Sequence, residues 1–253
     1  MTMIGAQLYT VRDYIQTEKD IERTLSMVAQ MGYRTIQVSG MGKIEPQKLR
    51  SLCDKLNLQI VLTHNPWERI LDDTDRLIEE HNILGCDYIG LGGMPMKYRS
   101  PWWIDKFIED FKEPARKIAA AGKLLMYHNH AFEFEKIEGK RFLETLAEAF
   151  SPKEMGFTLD TYWVQAAGGD VCWWLDFLKG RTPCVHLKDM TVCGQEQRMA
   201  PVGAGNMNFS AILEKIKELG DVKYLLVEQD DCYGDPFACL QKSFHYLHTM
   251  ELC

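Results

Sequence analysis

Several features that would point to particular protein classes are missing from this chain of 253 residues. No apolar run approaches the roughly 18 residues that a membrane-spanning helix needs, so we expect no membrane partner. Lysines and arginines are scattered, and the net charge is −7 with a pI of about 5.5. A nucleic-acid partner, which favours a basic face, is therefore not expected. The first residues lack a basic region followed by a long apolar one, so we expect a cytoplasmic protein.

The eight cysteines do not include a C-x-x-C pair, the spacing found in many zinc and redox sites. Several of them lie inside apolar runs, where cysteine acts as a small hydrophobic residue. In a chain of this size without a secretory signal, cysteines are usually reduced. We therefore expect free thiols rather than a disulfide framework.

The first apolar run is not followed by the glycine-rich phosphate loop that an open, doubly wound sheet usually carries. Instead, eight short strand-like runs recur at a spacing of roughly 30 residues, the length of one strand, one helix and two loops. They lie at 4–8, 35–38, 59–62, 88–91, 124–127, 156–159, 184–187 and 224–227. Segments with helical spacing separate them, and Ile21, Leu25 and Val28 share one such helical face. This alternation predicts an α/β fold, a (β/α)8 TIM barrel with residues 1–253 as a single domain.

The last four strand-like runs end on side chains that bind divalent metal ions. His128 and His130 follow the fifth run, Asp160 the sixth, His186 the seventh and Glu228 the eighth. A barrel delivers these ends to one face, where active sites lie. A lone aspartate there is usually a helix cap, and a lone histidine is often structural. Four consecutive strand ends of this kind nevertheless predict one divalent metal ion, Mn, Mg, Co, Fe or Zn.

Five motifs give the chain a resemblance to a known family. They are Tyr127-His128-Asn129-His130-Ala131-Phe132-Glu133-Phe134, Leu159-Asp160-Thr161-Tyr162-Trp163, His186-Leu187-Lys188-Asp189-Met190, Pro201-Val202-Gly203-Ala204-Gly205 and Val227-Glu228-Gln229-Asp230. As a set, they resemble the xylose-isomerase-like barrels known as sugar phosphate isomerases/epimerases, with inosose dehydratases, ketose 3-epimerases and type IV apurinic endonucleases as relatives. The resemblance covers essentially the whole chain. It implies that Asp160, His186 and Glu228 bind the metal.

The fifth strand departs from the pattern of the ketose epimerases. The resemblance to them would imply a glutamate at the end of this strand that serves as both metal ligand and acid/base. His128 occupies that place most naturally, because an asparagine follows it as in some relatives. His130 and Glu133 remain alternatives. We expect His128 to be the fourth ligand.

Three residues are expected to take part in the chemistry: Glu133, Lys188 and Glu228. The carboxylates can remove a proton, and Lys188 can stabilise an oxyanion or transfer a proton. For Lys188, an ion pair with a neighbouring carboxylate is an equal alternative. Asp189 and Asp230 are expected to orient the ligands or Lys188.

Four further residues are expected to contact the substrate: His64, Trp67, His130 and Trp163. The imidazoles can form hydrogen bonds to hydroxyl groups, and the indoles can cover a sugar ring. For His64, a loop-anchoring role is equally compatible with the sequence. Gly203 and Gly205 form a lone glycine pair, which we interpret as a loop between the seventh strand and its helix.

Together these residues predict a metal-dependent sugar isomerase or epimerase that removes a proton next to the carbonyl of a keto-sugar or sugar derivative. An inosose-type dehydratase or keto-glycoside lyase at the same site is the alternative. A metal-dependent phosphodiester hydrolase is less favoured, because the seven histidines of an acidic chain are few for a trinuclear zinc site. A non-catalytic sugar-binding barrel is less favoured because acid/base groups are present. The expected partner is a small-molecule sugar, and a homo-oligomer is compatible with the sequence.

Overall fold

Eight parallel strands close into a barrel in the computed structural model of the protein, which describes residues 2–250. Each strand pairs with its predecessor in the chain, and the eighth pairs with the first. The strands are β1 (Met3–Gln7), β2 (Thr35–Val38), β3 (Gln59–Asn65), β4 (Tyr88–Leu91), β5 (Leu124–His128), β6 (Met155–Asp160), β7 (Cys184–Leu187) and β8 (Tyr224–Val227). The predicted (β/α)8 barrel is confirmed, and β2, β4, β7 and β8 have the predicted bounds.

Helices connect the strands and bury their apolar faces against the outside of the barrel. They are α1 (Glu18–Gln30), α2 (Pro46–Lys55), α3 (Trp67–Asp72), α4 (Thr74–Leu84), α5 (Ile104–Ala120), α6 (Phe142–Ala149), α7 (Thr161–Ala166), α8 (Val171–Phe177), α9 (Phe209–Leu219) and α10 (Pro236–Thr249). Short 3-10 helices precede some of them, and one of these, Leu8–Tyr14, follows β1 directly.

Helix α1 shows how the sequence sets these elements. The side chain of Thr17 caps its first turn by accepting a hydrogen bond from the backbone N–H of Asp20. As predicted, Ile21, Leu25 and Val28 share one face, and all three are fully buried. Burying each such side chain contributes roughly 1.5–3 kcal/mol, which fixes the helix against the barrel.

The lower interior of the barrel is filled by a small apolar cluster. Side chains along a strand alternate between its two faces, so a residue two positions before an inward-pointing strand end also points inward. Three buried residues of one cluster lie two positions before the predicted ligands His128, His186 and Glu228. They are Met126, Cys184 and Leu226, and all are fully buried. This layer forms an apolar floor beneath the strand ends.

Two short antiparallel hairpins were not predicted. The first pairs Lys136–Ile137 with Lys140–Arg141 after β5, and the second pairs Asp189–Cys193 with Glu196–Ala200 after β7. Their strands have only two or five residues and are partly exposed, so they lack the fully buried apolar runs by which barrel strands are recognised. The second hairpin matters for the site, because its first residue is Asp189.

None of the helices within residues 2–250 has the length and apolar character needed to cross a membrane. The cysteines at positions 53, 86, 172, 184, 193, 232 and 239 are free thiols. Cys253 lies outside the described residues.

Candidate metal centre

Four strand ends bring their side chains to one point at the C-terminal face of the barrel. His128 ends β5, Asp160 ends β6, His186 lies in β7 and Glu228 directly follows β8. All four are buried, and each offers a ligand atom that lies within 4.8 Å of the others. These are the residues predicted to bind the metal. Their role as ligands stays a prediction.

Hydrogen bonds on their outer sides fix both imidazoles. The Nδ1 atom of His128 lies 3.0 Å from the carbonyl oxygen of Gly92, and that oxygen can only accept. Nδ1 therefore carries the proton, and Nε2 faces the cluster with its lone pair. The Nε2 atom of His186 lies 2.6 Å from Oε1 of Gln37, so a neutral ring would likewise have its lone pair at the inward Nδ1 atom. Such outer bonds orient metal-binding imidazoles in general.

The two carboxylates are held in the same manner. Oδ1 of Asp160 accepts a hydrogen bond of 3.1 Å from the backbone N–H of Trp163 and caps α7. Oε1 of Glu228 accepts a hydrogen bond of 2.7 Å from the side-chain amide of Gln7. Each carboxylate therefore keeps its second oxygen for the centre of the cluster.

The inward atoms face one another at short range. Nε2 of His128 is 3.2 Å from Oδ2 of Asp160, and Nδ1 of His186 is 2.8 Å from Oε2 of Glu228. The Nδ1 atom of His186 and the Oε2 atom of Glu228 are buried and have no aligned hydrogen-bond partner. Lone pairs in this arrangement need a shared cation, either a proton or a metal ion. The residues therefore fit a divalent ion with two imidazole and two carboxylate ligands.

Lys188 adds a buried ammonium group beside the cluster. Its Nζ atom is 2.9 Å from Oδ2 of Asp160, 3.0 Å from Oε2 of Glu228 and 2.9 Å from Oδ2 of Asp230. Burial opposes the charge, but the three carboxylates outweigh burial and raise the pKa of Lys188. Three carboxylates share one ammonium, so the cluster has an excess of negative charge that a divalent cation would neutralise.

The same contacts match the ion-pair alternative for Lys188. Its side chain is fully buried and its ammonium lies within 3.0 Å of three carboxylates, while its part in the chemistry stays a prediction. Asp230 contacts Lys188, as expected. Asp189 does not; its carboxylate accepts hydrogen bonds from the backbone N–H groups of Gly203, Gly205 and Met207 instead.

A basin of about 350 Å³ opens above the cluster. His128 and Glu228 form part of its wall, together with Gln7, Tyr9, Ser39, Gly40, His64, Asn65, Gly92, His130 and Asp230. Burial lowers the pKa of His64, and it lowers the pKa of His130 to about 3, so both rings are neutral near pH 7. The Nε2 atom of His64 and the Nδ1 atom of His130 are buried without a hydrogen-bond partner. Both predicted substrate-binding histidines therefore line the basin.

Glu133 lies away from this basin. Its fully buried carboxylate accepts hydrogen bonds of 2.7 Å from the hydroxyl of Tyr127 and 2.8 Å from the backbone N–H of His130. Burial raises the pKa of Glu133 to about 7. The geometry thus makes Glu133 an anchor of the loop after β5 and gives no support to its expected part in proton transfer.

The two tryptophans expected to contact the substrate differ. Trp67 packs edge-on against Tyr98, and the ammonium of Lys97 lies 3.7 Å from its ring centroid, outside the basin wall. The ring of Trp163 lies 5.4 Å from that of His130, which does line the basin, and its Nε1 atom is buried without a partner. Only Trp163 is placed beside the site.

Three supporting residues were missed by sequence reasoning. Gln7 and Gln37 hold Glu228 and His186, as described above. The side-chain oxygen of Asn129 accepts a hydrogen bond of 3.0 Å from the backbone N–H of Asp160. The available signal was that Gln7 and Gln37 each lie inside a predicted apolar strand, where a buried amide needs a polar partner; both are fully buried in the structure.

Residues 25–245 match the family described as "Xylose isomerase-like TIM barrel". The chain belongs to this family. The match spans β2 to β8 and includes all four residues of the candidate metal centre. It confirms the resemblance inferred from the five motifs. No curated protein has a significantly similar sequence.

Solved structures of family-like barrels superpose over nearly the whole chain. A sugar phosphate isomerase/epimerase from Parabacteroides distasonis ATCC 8503 has a TM-score of 0.80 at 22% identity, over 100% of this chain and 96% of that one. A D-allulose 3-epimerase from Methylomonas sp. has a TM-score of 0.75 at 14% identity, over 98% of each chain. A probable 3-DHS dehydratase from Bacillus anthracis gives the same TM-score and identity, over 98% of this chain and 99% of that one. At these identities the likeness establishes the shared barrel fold.

Proposed function

We propose that the protein is a metal-dependent isomerase or epimerase of a keto-sugar. The observation that carries the proposal is the convergence of two imidazoles and two carboxylates within 4.8 Å at the floor of a basin. Structures described as a sugar phosphate isomerase/epimerase and a D-allulose 3-epimerase share the fold and support the substrate class. The basin also offers hydroxyl, amide and imidazole groups suited to sugar hydroxyls.

His128, Asp160, His186 and Glu228 would hold the divalent ion. When bound, such an ion supplies Lewis acidity that makes a carbon–hydrogen bond next to a carbonyl more acidic. Glu228, which also lines the basin, would take that proton. Protonation of the same carbon on the opposite face, which needs a second proton donor there, would give an epimer, and return of the proton by Glu228 to the neighbouring carbon would give an isomer.

Lys188 would act as a positioning residue in this scheme. Its ammonium lies within 3.0 Å of one oxygen each of Asp160 and Glu228, and so keeps the two carboxylates together. Without it, their repulsion would be balanced by the metal alone. The acid/base work is assigned to Glu228, which lines the basin, rather than to Lys188, which is fully buried.

The test is carbon–hydrogen exchange in heavy water. The metal-loaded protein, incubated with free pentuloses and hexuloses, should place deuterium next to the carbonyl of at least one of them. Glu228→Gln should slow this exchange about 10²–10⁴-fold. Metal content must be measured in the same samples, because Glu228 is also a proposed ligand.

Glu133→Gln is the matched control. Its carboxylate faces Tyr127 and His130, so we expect exchange within about tenfold of the native rate. Undiminished exchange in metal-loaded Glu228→Gln protein would reject Glu228 as the base. Turnover without a primary isotope effect from carbon-deuterated ketose, with chemistry rate-limiting, would reject proton removal altogether.

A dehydratase is the second candidate, and two basin histidines favour it. His64 and His130 each present a buried nitrogen without a partner. Either imidazole could pass a proton to a departing β-hydroxyl after Glu228 has removed the α-proton. The same incubations distinguish the two reactions by mass spectrometry, because a dehydratase yields a product lighter by one water molecule.

A further inference from the structure

We infer that the substrate is an uncharged polyhydroxylated ketone, a free keto-sugar, and not a sugar phosphate. The inference rests on the proposed function and narrows its substrate class. In (β/α)8 barrels, phosphate groups are commonly bound by the loops after strands seven and eight, where backbone N–H groups point at the anion. In this protein the chain's own carboxylate already occupies the N–H groups of the loop after β7.

That carboxylate belongs to Asp189. Its Oδ2 atom accepts hydrogen bonds from the backbone N–H groups of Gly203 at 2.9 Å and Gly205 at 3.0 Å. Its Oδ1 atom accepts bonds from the N–H groups of Met190 at 2.7 Å and Met207 at 3.2 Å. Both oxygens are therefore fully engaged, and the side chain is completely buried.

The loop is shaped around this internal anion. A Cβ atom on Gly205 would lie 2.4 Å from Oδ1 of Asp189, so only glycine lets the backbone approach so closely. Gly203 has a φ of +83°, a conformation that other residues rarely adopt. A phosphate group would have to displace a carboxylate that four N–H groups and two glycines hold in place.

The wall of the basin also favours an uncharged ligand. Glu228 and Asp230 are its charged side chains, and both are acidic. Lys188 is shared by three carboxylates and does not reach the basin surface. Arg12 lies nearby, but its Nη1 atom donates to the carbonyl oxygens of Tyr9 and Asp230, at 3.1 and 2.7 Å. A phosphate dianion at the wall would therefore meet two carboxylates and no lysine or arginine among the wall residues.

A chain of hydrogen bonds prepares Asn65 to recognise a hydroxyl group. Nδ1 of His81 lies 2.7 Å from the carbonyl oxygen of Leu77, so Nδ1 carries the ring proton and Nε2 accepts. The Thr63 hydroxyl lies 2.7 Å from Nε2 and donates its hydrogen to that atom. The Thr63 oxygen accepts a second hydrogen bond from Nδ2 of Asn65, also at 2.7 Å. The amide of Asn65 is thereby oriented with its Oδ1 atom free as an acceptor. Because Asn65 lines the basin, this oxygen suits a donor such as a sugar hydroxyl.

The experiment compares matched pairs of ligands with the metal-loaded native protein. D-Ribulose, D-fructose, D-tagatose and D-allulose are each incubated in heavy water beside their terminal phosphate esters, and deuterium incorporation is followed by NMR. Each reactive free ketose should exchange at least about 100-fold faster than its phosphate. A phosphate ester that exchanges faster than its free ketose would overturn the inference and leave the proposed function standing.

A lack of exchange in both members of every pair would count against the proposed function, and the inference is then judged by binding. Titration of the metal-loaded protein with inorganic phosphate should show no binding below about 1 mM. Submillimolar binding of phosphate, displaced by fructose 6-phosphate but not by fructose, would overturn the inference.

Two variants examine the acidic wall. Asp230→Asn removes a basin charge, and the ratio of phosphate-ester exchange to free-ketose exchange should rise about tenfold. Glu22→Gln is the control, because the Glu22 side chain is exposed on α1 and does not line the basin. Its ratio should equal that of the native protein. Equal ratios in both variants would show that the wall charge does not select against phosphate.

Discussion

Asp160 and Asp189 are both fully buried aspartates near the C-terminal ends of neighbouring barrel strands, but they are held in opposite ways. Asp189 uses both oxygens to accept four backbone N–H groups. Asp160 uses Oδ1 as a helix cap and directs Oδ2 to His128, His186 and Lys188. A carboxylate satisfied by the backbone organises a loop. One that keeps an oxygen for cationic groups can serve a reaction.

The same contrast separates the buried histidines. His81 is bonded at both nitrogens, to Leu77 and Thr63, and lies on the outer helix α4. His186 is bonded only at Nε2 and keeps an unpartnered Nδ1 atom in the cluster. Buried polar groups are nearly always paired in folded proteins, so the unpaired ones mark the places where a ligand is expected.

The largest expected effect comes from removing the ammonium at the centre of the incompletely paired cluster. In metal-free protein, Lys188→Met leaves three carboxylates without their shared counter-charge, and we expect the free energy of unfolding to fall by about 3–5 kcal/mol. Urea denaturation of metal-free native and variant protein measures this loss. Divalent metal should restore stability to the variant more than to the native protein.

Lys123→Met is the matched control for that substitution. Lys123 is also buried, but its ammonium donates to the carbonyl oxygen of Cys86 and lies 3.7 Å from the largely exposed Asp87. We expect a smaller loss, without recovery on adding metal. Equal losses in both variants would contradict the special status of the cluster.

A pH titration of stability tests His81, the buried histidine that is hydrogen-bonded at both nitrogens. Burial lowers the pKa of His81 to about 4, from 6.5 when unperturbed. Above pH 6.5 the ring is neutral in both states, and its contribution to stability is fully present. Between pH 6.5 and 4, only the unfolded chain takes up the proton, so stability falls as pH falls, by up to about 3 kcal/mol.

His81→Gln should remove this part of the pH dependence in metal-free protein. The measurement is the difference in unfolding free energy between native and variant protein from pH 7.5 to 4, since other histidines titrate in both. A difference that does not change with pH would show that His81 is not held neutral by burial.

The smallest expected effect on stability comes from changing the buried carboxylate of Asp189. Asp189→Asn replaces one accepting oxygen with an amide that faces backbone N–H groups, and should destabilise the protein by about 1–3 kcal/mol. Hydrogen exchange at the backbone amides of residues 203–207 should become faster, while metal affinity stays within a few-fold of the native value. Loss of metal binding in this variant would erase the distinction between the two aspartates.

The sequence was sufficient for the barrel and for the four converging residues, because both follow from short-range pattern. Period-two side chains and a spacing of roughly 30 residues define the strands. Parallel strands in a closed barrel then place His128, Asp160, His186 and Glu228 together. His64 and His130 were located by the same logic, and both line the basin.

The directions in which individual side chains point could not be predicted from the sequence. Glu133 is near the site along the chain, but hydrogen bonds to Tyr127 and His130 turn it away. Trp67 follows a strand end as Trp163 does, yet it packs against Tyr98. Asp189 neighbours Lys188, but the hairpin that begins there turns its carboxylate towards the glycine loop. Each outcome depends on partners from loops, which leave no periodic signal.

Calorimetric titration of metal-free protein with Mn²⁺ tests the central claim most directly, using native protein, Asp160→Asn and Asp189→Asn. The account predicts about one ion per native chain, binding at least about 100-fold weaker in Asp160→Asn, and near-native binding in Asp189→Asn. Native affinity in Asp160→Asn, or equal losses in the two variants, would contradict it.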